Sequence, residues 1–175
     1  MTGLGYGPIT QIAWVTADIE ASERLLGGFG AGTWTRLPDT EFGPDMCRYR
    51  GEPADFTAHI SLSYLADMQL ELIRPVRGTG IYTEFLERSG PGLHHICFEP
   101  EDFDAAVAEA GARGLPVVQD GNVGGTMRFA YVDGAAAGVP YLELAEIGAP
   151  MREFYEYVKT RAHGRPDQSE RTATR

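Results

Sequence analysis

Two short segments of this 175-residue chain repeat an arrangement able to hold a cation. Leu70-Glu71-Leu72 and Leu142-Glu143-Leu144 each set one carboxylate between two leucines. Successive side chains on a β-strand point to opposite faces, so the leucines share one face and the acid takes the other. A charge so placed needs water, a cation or a polar partner. One such segment alone reads as a strand whose acid faces solvent. Its recurrence changes that reading, because Gln11 in ITQIAWVT and His95 in LHHICFE stand at matching places on two earlier strands. Two carboxylates, one imidazole and one amide oxygen make a hard-to-borderline donor set for a divalent ion, Zn, Co, Ni or Mn. With four protein ligands, Gln11, Glu71, His95 and Glu143, positions remain for water or substrate. His94 and His95 are adjacent, and strand alternation sends them to opposite faces. The register of the repeat selects His95 as the ligand, with His94 as the alternative.

These residues need a scaffold, and the chain reads as two similar series. The first is a strand at 9–16, a helix at 18–29 with Thr16 or Asp18 as N-cap, a short strand at 32–37, and strands at 57–64 and 68–75. The stretch 38–56 is polar, carries Gly and Pro, and reads mostly as loop, with a short strand near 47–50. The second series is a strand at 93–99, a helix at 101–113 followed by Gly114, and strands at 115–120, 126–132 and 139–145. Both follow the order strand, helix, three strands, so the fold class is α+β with an internal repeat. Gln11 and His95 lie 84 positions apart, the two glutamates 72. The loop at 38–56 absorbs the difference. The organisation is a first module at 8–78, a linking helix within 79–90, a second module at 91–147, an amphipathic C-terminal helix within 148–162, and a polar tail at 163–175 that reads as disordered. In the segment TAHISLS, alternation puts Ala58, Ile60 and Leu62 on one face. Thr57, His59, Ser61 and Ser63 fall on the other, which is expected to point inward with Glu71. His59 is the residue there best suited to proton transfer near neutral pH.

The paired series and their ligand set resemble the vicinal oxygen chelate superfamily, which includes glyoxalase I, methylmalonyl-CoA epimerase, extradiol dioxygenases and bleomycin-resistance proteins. The resemblance spans about residues 8–147. GPGLHHICFEPEDFDAAVAEAGARGLPV at 90–117 and LELIRPV before the linking helix are similar to methylmalonyl-CoA epimerases. The resemblance implies two tandem βαβββ modules whose sheets curve around one metal held by the first and last strand of each. Epimerases usually carry His at the place of Gln11, whereas glyoxalase I enzymes use Gln or His. The implied chemistry is proton transfer at a carbon next to a metal-chelated carbonyl, with the enolate stabilised by the ion. It implies Glu143 as both ligand and base, with Glu71 as second candidate. The expected function is therefore an isomerase or epimerase, on an acyl thioester in the epimerase-like case. The alternatives are a glyoxalase I-like lyase acting on a hemithioacetal and a metal-free binding or resistance protein. An extradiol dioxygenase needs two histidines and a carboxylate, and only one histidine falls at a ligand position.

Composition bounds the partners. The 25 acidic and 15 basic residues give a net charge of −10, which argues against nucleic-acid and anionic-membrane partners. A small-molecule substrate is expected. Two cysteines, no basic–apolar leader and no apolar run of membrane length point to a cytoplasmic protein with free thiols. No glycine-rich nucleotide fingerprint stands between a strand and a helix. The resemblance and the apolar stripe of the C-terminal helix together lead to the expectation of a homodimer, with packing of that helix back on its own sheet as the alternative.

Overall fold

The computed structural model describes residues 5–164. Its elements run β1 (Ile9–Val15), α1 (Ile19–Gly28), β2 (Thr35–Phe42), β3 (Cys47–Tyr49), β4 (Glu52–Pro53), β5 (Phe56–Leu65), β6 (Met68–Gly78), α2 (Ile81–Ser89), β7 (Gly92–Phe98), α3 (Phe103–Ala112), β8 (Val117–Val123), β9 (Met127–Asp133), β10 (Tyr141–Ile147) and α4 (Ala149–His163). The strands form one curled sheet in the order β2-β5-β6-β1-β7-β10-β9-β8-β3-β4. About the antiparallel seam between β1 and β7 the two halves mirror each other. β1 pairs in parallel with β6, and β7 in parallel with β10. The polar tail expected from 163 onward lies, from residue 165, outside the described residues.

The repeat extends to the helix starts. Asp18 accepts a hydrogen bond from the Ala21 amide at 2.8 Å, and Asp102 one from the Ala105 amide at 2.9 Å. Each N-cap satisfies one orphan donor and is worth about 1 kcal/mol. Behind each cap an apolar residue, Ile19 or Phe103, is buried against the convex side of the sheet. α1 and α3 therefore cover the leucines of both Leu-Glu-Leu segments. Leu72 is 1 % exposed, and Leu144 packs with Phe103, Ala106 and Ala130. That leaves both glutamates on the concave side.

Three expectations need correction. The stretch 38–56 is not mostly loop. β2 runs through Pro38 to Phe42, which a sheet edge tolerates because the missing amide has no ladder partner to lose. A register shift between Leu37 and Thr40, with Asp39 at φ 50°, takes up the irregularity. β3 and β4 then cross over and extend the other half, β3 pairing with β8. Second, His94 and His95 do not point to opposite faces. The β1–β7 register shifts between Ala13 and Trp14, leaving His94 as an extra residue, and both rings sit on the concave side. Third, the apolar stripe of α4 is not free for a partner. Val158 and Ala162 are buried against Leu62 and Tyr64 of β5, with Phe154 and Tyr155 beside them.

Candidate metal centre

The four candidate side chains come from the four central strands, and the ladders put them in two neighbouring rows. One row runs Glu71, Ala13, His95, Tyr141 and the next Gln69, Gln11, Cys97, Glu143, Tyr131. Ala13 and Cys97, the small members, occupy the middle and leave space between the longer side chains. The longer side chains close on one atom. His95 Nε2 is 3.1 Å from Glu143 Oε2, 3.2 Å from Gln11 Oε1 and 3.5 Å from Glu71 Oε2. His95 is fully buried, and the Glu71 and Glu143 side chains are 13 % and 3 % exposed.

Neighbours hold two of these groups in orientation. Gln11 Nε2 donates to Gln69 Oε1 at 2.6 Å, and Gln69 Nε2 donates to the Tyr64 hydroxyl at 3.0 Å. This chain turns the Gln11 carbonyl oxygen toward the imidazole. On the far side of His95, its Nδ1 meets His94 Nδ1 at 2.9 Å, so one of the two nitrogens carries the shared proton. Burial holds His94 well below the usual histidine range, and His95 adds to that. A neutral His94 then accepts from His95, which leaves Nε2 of His95 for the carboxylates.

Charge decides what the centre can take. Burial alone would lower the His95 pKa, but the hydrogen bond and charge of Glu143, followed by those of Glu71, push it up to about 9. Burial also raises the Glu71 carboxyl above its usual range, against the pull of His95, and the neighbouring Glu143 adds to the rise. Two carboxylates so deeply placed demand a positive partner. Without an ion that partner is the protonated imidazole. Among the described residues no three His, Cys, Asp or Glu side chains stand in a ready metal-holding arrangement, since the oxygens close on Nε2 itself. The donor set nevertheless fits a divalent ion. Ligand atoms about 2.1 Å from a tetrahedral ion lie about 3.4 Å apart, close to the 3.1–3.5 Å separations between nitrogen and oxygens. Burial holds the Cys97 thiol far above its usual range.

A cavity of ≈ 140 Å³ opens over Gln11, Glu71 and Glu143. Tyr82 and Tyr131, whose hydroxyls are 2.8 Å apart, line it as well. Burial keeps both phenols protonated. Wider grooves lie on the surface. In the groove beside α2, Arg50 and Arg88 both meet Glu84.

His59 does not join the centre. Leu62 stands opposite Glu71 and Ile60 opposite Ile73, so it is the apolar face of β5 that lines the cavity. His59 lies on the other face in a separate hollow with Arg36 and Arg74, and its Nδ1 accepts from the Asp39 amide at 2.9 Å. Ser61, expected inward, donates to Glu23 of α1 at 2.7 Å. The polar side of this strand serves the helix interface. Sequence reasoning missed Gln69 and Tyr131. Gln69 shares a strand face with Glu71 two residues on, so the same alternation was enough to find it.

A model of the glyoxalase/bleomycin resistance protein/dioxygenase superfamily matches residues 10–131. The chain belongs to that superfamily. Among solved structures it resembles methylmalonyl-CoA epimerase from Mycobacterium tuberculosis, with TM-score 0.59 and 18 % identity over 87 % of this chain and 95 % of that one. A variant of the Streptomyces coelicolor methylmalonyl-CoA epimerase in complex with 2-nitronate-propionyl-CoA gives TM-score 0.60 and 19 % identity over 83 % and 97 %. The hypothetical protein BH1468 from Bacillus halodurans C-125 gives 0.57 and 15 % over 79 % and 93 %. No curated protein matches the sequence. At these identities the likenesses establish the superfamily fold. Among the described residues no helix is long and apolar enough to cross a membrane.

Proposed function

We propose that this superfamily member is a metal-dependent isomerase of the epimerase type, moving a proton at a carbon next to a carbonyl. The observation that carries this reading is the convergence of Glu143, Gln11 and Glu71 on His95 Nε2 beneath a cavity. Gln11, Glu71, His95 and Glu143 would hold one divalent ion, Zn, Co, Ni or Mn. When bound, the ion supplies Lewis acidity that favours the enolate over the ketone.

The chain's own residues supply the rest. Each glutamate turns its Oε2 toward His95, which leaves its Oε1 for a substrate proton. Glu143, the more deeply buried and the nearer to His95, is the base. Glu71, whose carboxyl burial shifts toward the protonated form, returns the proton from the other half of the sheet. A pair of proton carriers from opposite halves suits inversion at carbon better than a one-way elimination. The Tyr82 and Tyr131 hydroxyls offer neutral donors beside the reacting group, and the apolar walls exclude water. Support for an acyl substrate comes from the fold shared with the epimerases.

Solvent exchange tests the reading. With a 2-methyl-branched acyl thioester in D₂O, the metal-loaded protein should place deuterium at the α-carbon. Consumption of O₂, or no exchange across a broad carbonyl panel, contradicts it.

A further inference from the structure

The family match ends at residue 131, yet α4, beyond it, forms part of the cavity wall. Met151, Phe154 and Tyr155 line the same ≈ 140 Å³ space as Gln11, Glu71 and Glu143. We infer that α4 is a fixed roof that sets the substrate class, admitting a compact carbonyl compound with an apolar body and excluding one that carries a nucleotide arm. This deepens the proton-transfer reading and rests on it for the reacting group.

Three observations carry the inference. The first is size. Ligand pockets usually span about 300–1,000 Å³, and this one is ≈ 140 Å³. The second is the lining. Leu37, Phe42, Ile60, Leu62, Met127 and Phe129 form the walls, and the charged groups among the lining residues are the carboxylates Glu41, Glu71 and Glu143. Among the described residues no lysine or arginine lines the space, so no lining side chain is there to pair with the phosphates of a nucleotide arm.

The third is anchorage, which makes α4 a roof and not a swinging lid. Near its start Arg152 pairs with Glu99 at 3.1 Å. Near its end Lys159 pairs with Asp67 at 2.7 Å, and His163 bonds the Ala66 carbonyl at 3.0 Å. Between them Val158 and Ala162 are buried on β5. Gly32 lets the two backbones touch, since a Cβ there would lie 2.0 Å from the Ala162 carbonyl oxygen. The Tyr155 hydroxyl reaches Met127 Sδ across the cavity at 3.6 Å.

The test is calorimetric binding of two probes to the metal-loaded full chain: propionyl N-acetylcysteamine thioester and propionyl-CoA. The native chain should bind the short thioester at least about tenfold more tightly. Phe154→Ala should shrink that ratio by admitting the CoA ester. Equal or tighter binding of propionyl-CoA by the native chain overturns the inference, as does failure of both probes to bind. A ratio unmoved in a folded Phe154→Ala overturns the role of the roof. If that variant does not fold, Phe154→Leu takes its place under the same criterion. Selective binding of the short thioester without deuterium exchange supports the roof and removes the proton-transfer reading. Exchange with a preference for the CoA ester does the reverse.

Discussion

The two halves of the sheet offer the centre the same geometry and different chemistry. The β1–β6 half supplies Gln11 and Glu71. Its candidate ligand Gln11 is a neutral amide, oriented by Gln69 and Tyr64 and unable to titrate. The β7–β10 half supplies His95 and Glu143, a buried pair whose imidazole is pushed up to about 9. The first half therefore orients its candidate ligand Gln11 by hydrogen bonds, and the second its candidate ligand His95 by charge. A repeated backbone fixes where the candidate ligands stand, while their side-chain neighbours fix what each contributes. The two halves should therefore respond differently to substitution.

The largest effect should fall on catalysis. Glu143→Gln removes the base and should lower α-carbon exchange by about 10²–10⁴-fold, as followed by deuterium incorporation. Glu71→Gln should separate two activities, retaining exchange on one stereoisomer while losing inversion. Equal loss of exchange on both stereoisomers would remove the two-carboxylate assignment. Metal affinity comes next. His95→Ala should reduce it by well over tenfold, because the only nitrogen ligand is lost and two buried carboxylates keep their charge. Glu71→Gln should reduce it by tenfold or more. On the quieter half, Gln69→Leu touches no ligand position yet frees the Gln11 amide, and should cost about 10–100-fold. Gln11→His, which restores an imidazole, should be insensitive to that second change. Titration calorimetry of the four variants ranks them.

The smallest effect, taken per unit of pH, is the pH dependence. A His95 raised to about 9 carries a proton that the ion must displace. Apparent metal affinity should rise with pH, by up to about tenfold per unit, and level off above about 9. In the metal-free chain the sign is opposite. The stability this raised pKa gives is fully present below about 6.5 and is lost as pH climbs through about 9. Thermal melts with and without metal across pH 6–10 should diverge accordingly.

Much of this was legible in the sequence because strand alternation and a repeat constrain each other. Either Leu-Glu-Leu alone is ambiguous, but two in register with Gln11 and His95 leave one shared face. Of the two N-caps, Asp18 was legible as an alternative to Thr16, whereas Asp102 falls inside the helix expected at 101–113. What was not legible depends on contacts between strands. The face on which His59 lies is set by the Leu62–Glu71 pairing, and no rule local to TAHISLS reveals that the cavity wall is the apolar side. The inward turn of both His94 and His95 needs a bulge, and it appears only in the register against β1. The roof was read as an apolar stripe seeking a partner. Its partner is β5 of the same chain.

Gln11, Glu71, His95 and Glu143 are proposed to hold one divalent ion. The decisive test is elemental analysis of the gently purified chain, followed by reconstitution of the chelated protein with Zn²⁺, Mn²⁺, Co²⁺ or Ni²⁺. One ion is expected per native chain, none on His95→Ala, and the same stoichiometry in His59→Ala, which lies on the opposite face. A folded native chain that takes up none of the four ions, or a His95→Ala chain that binds one as tightly, would contradict it.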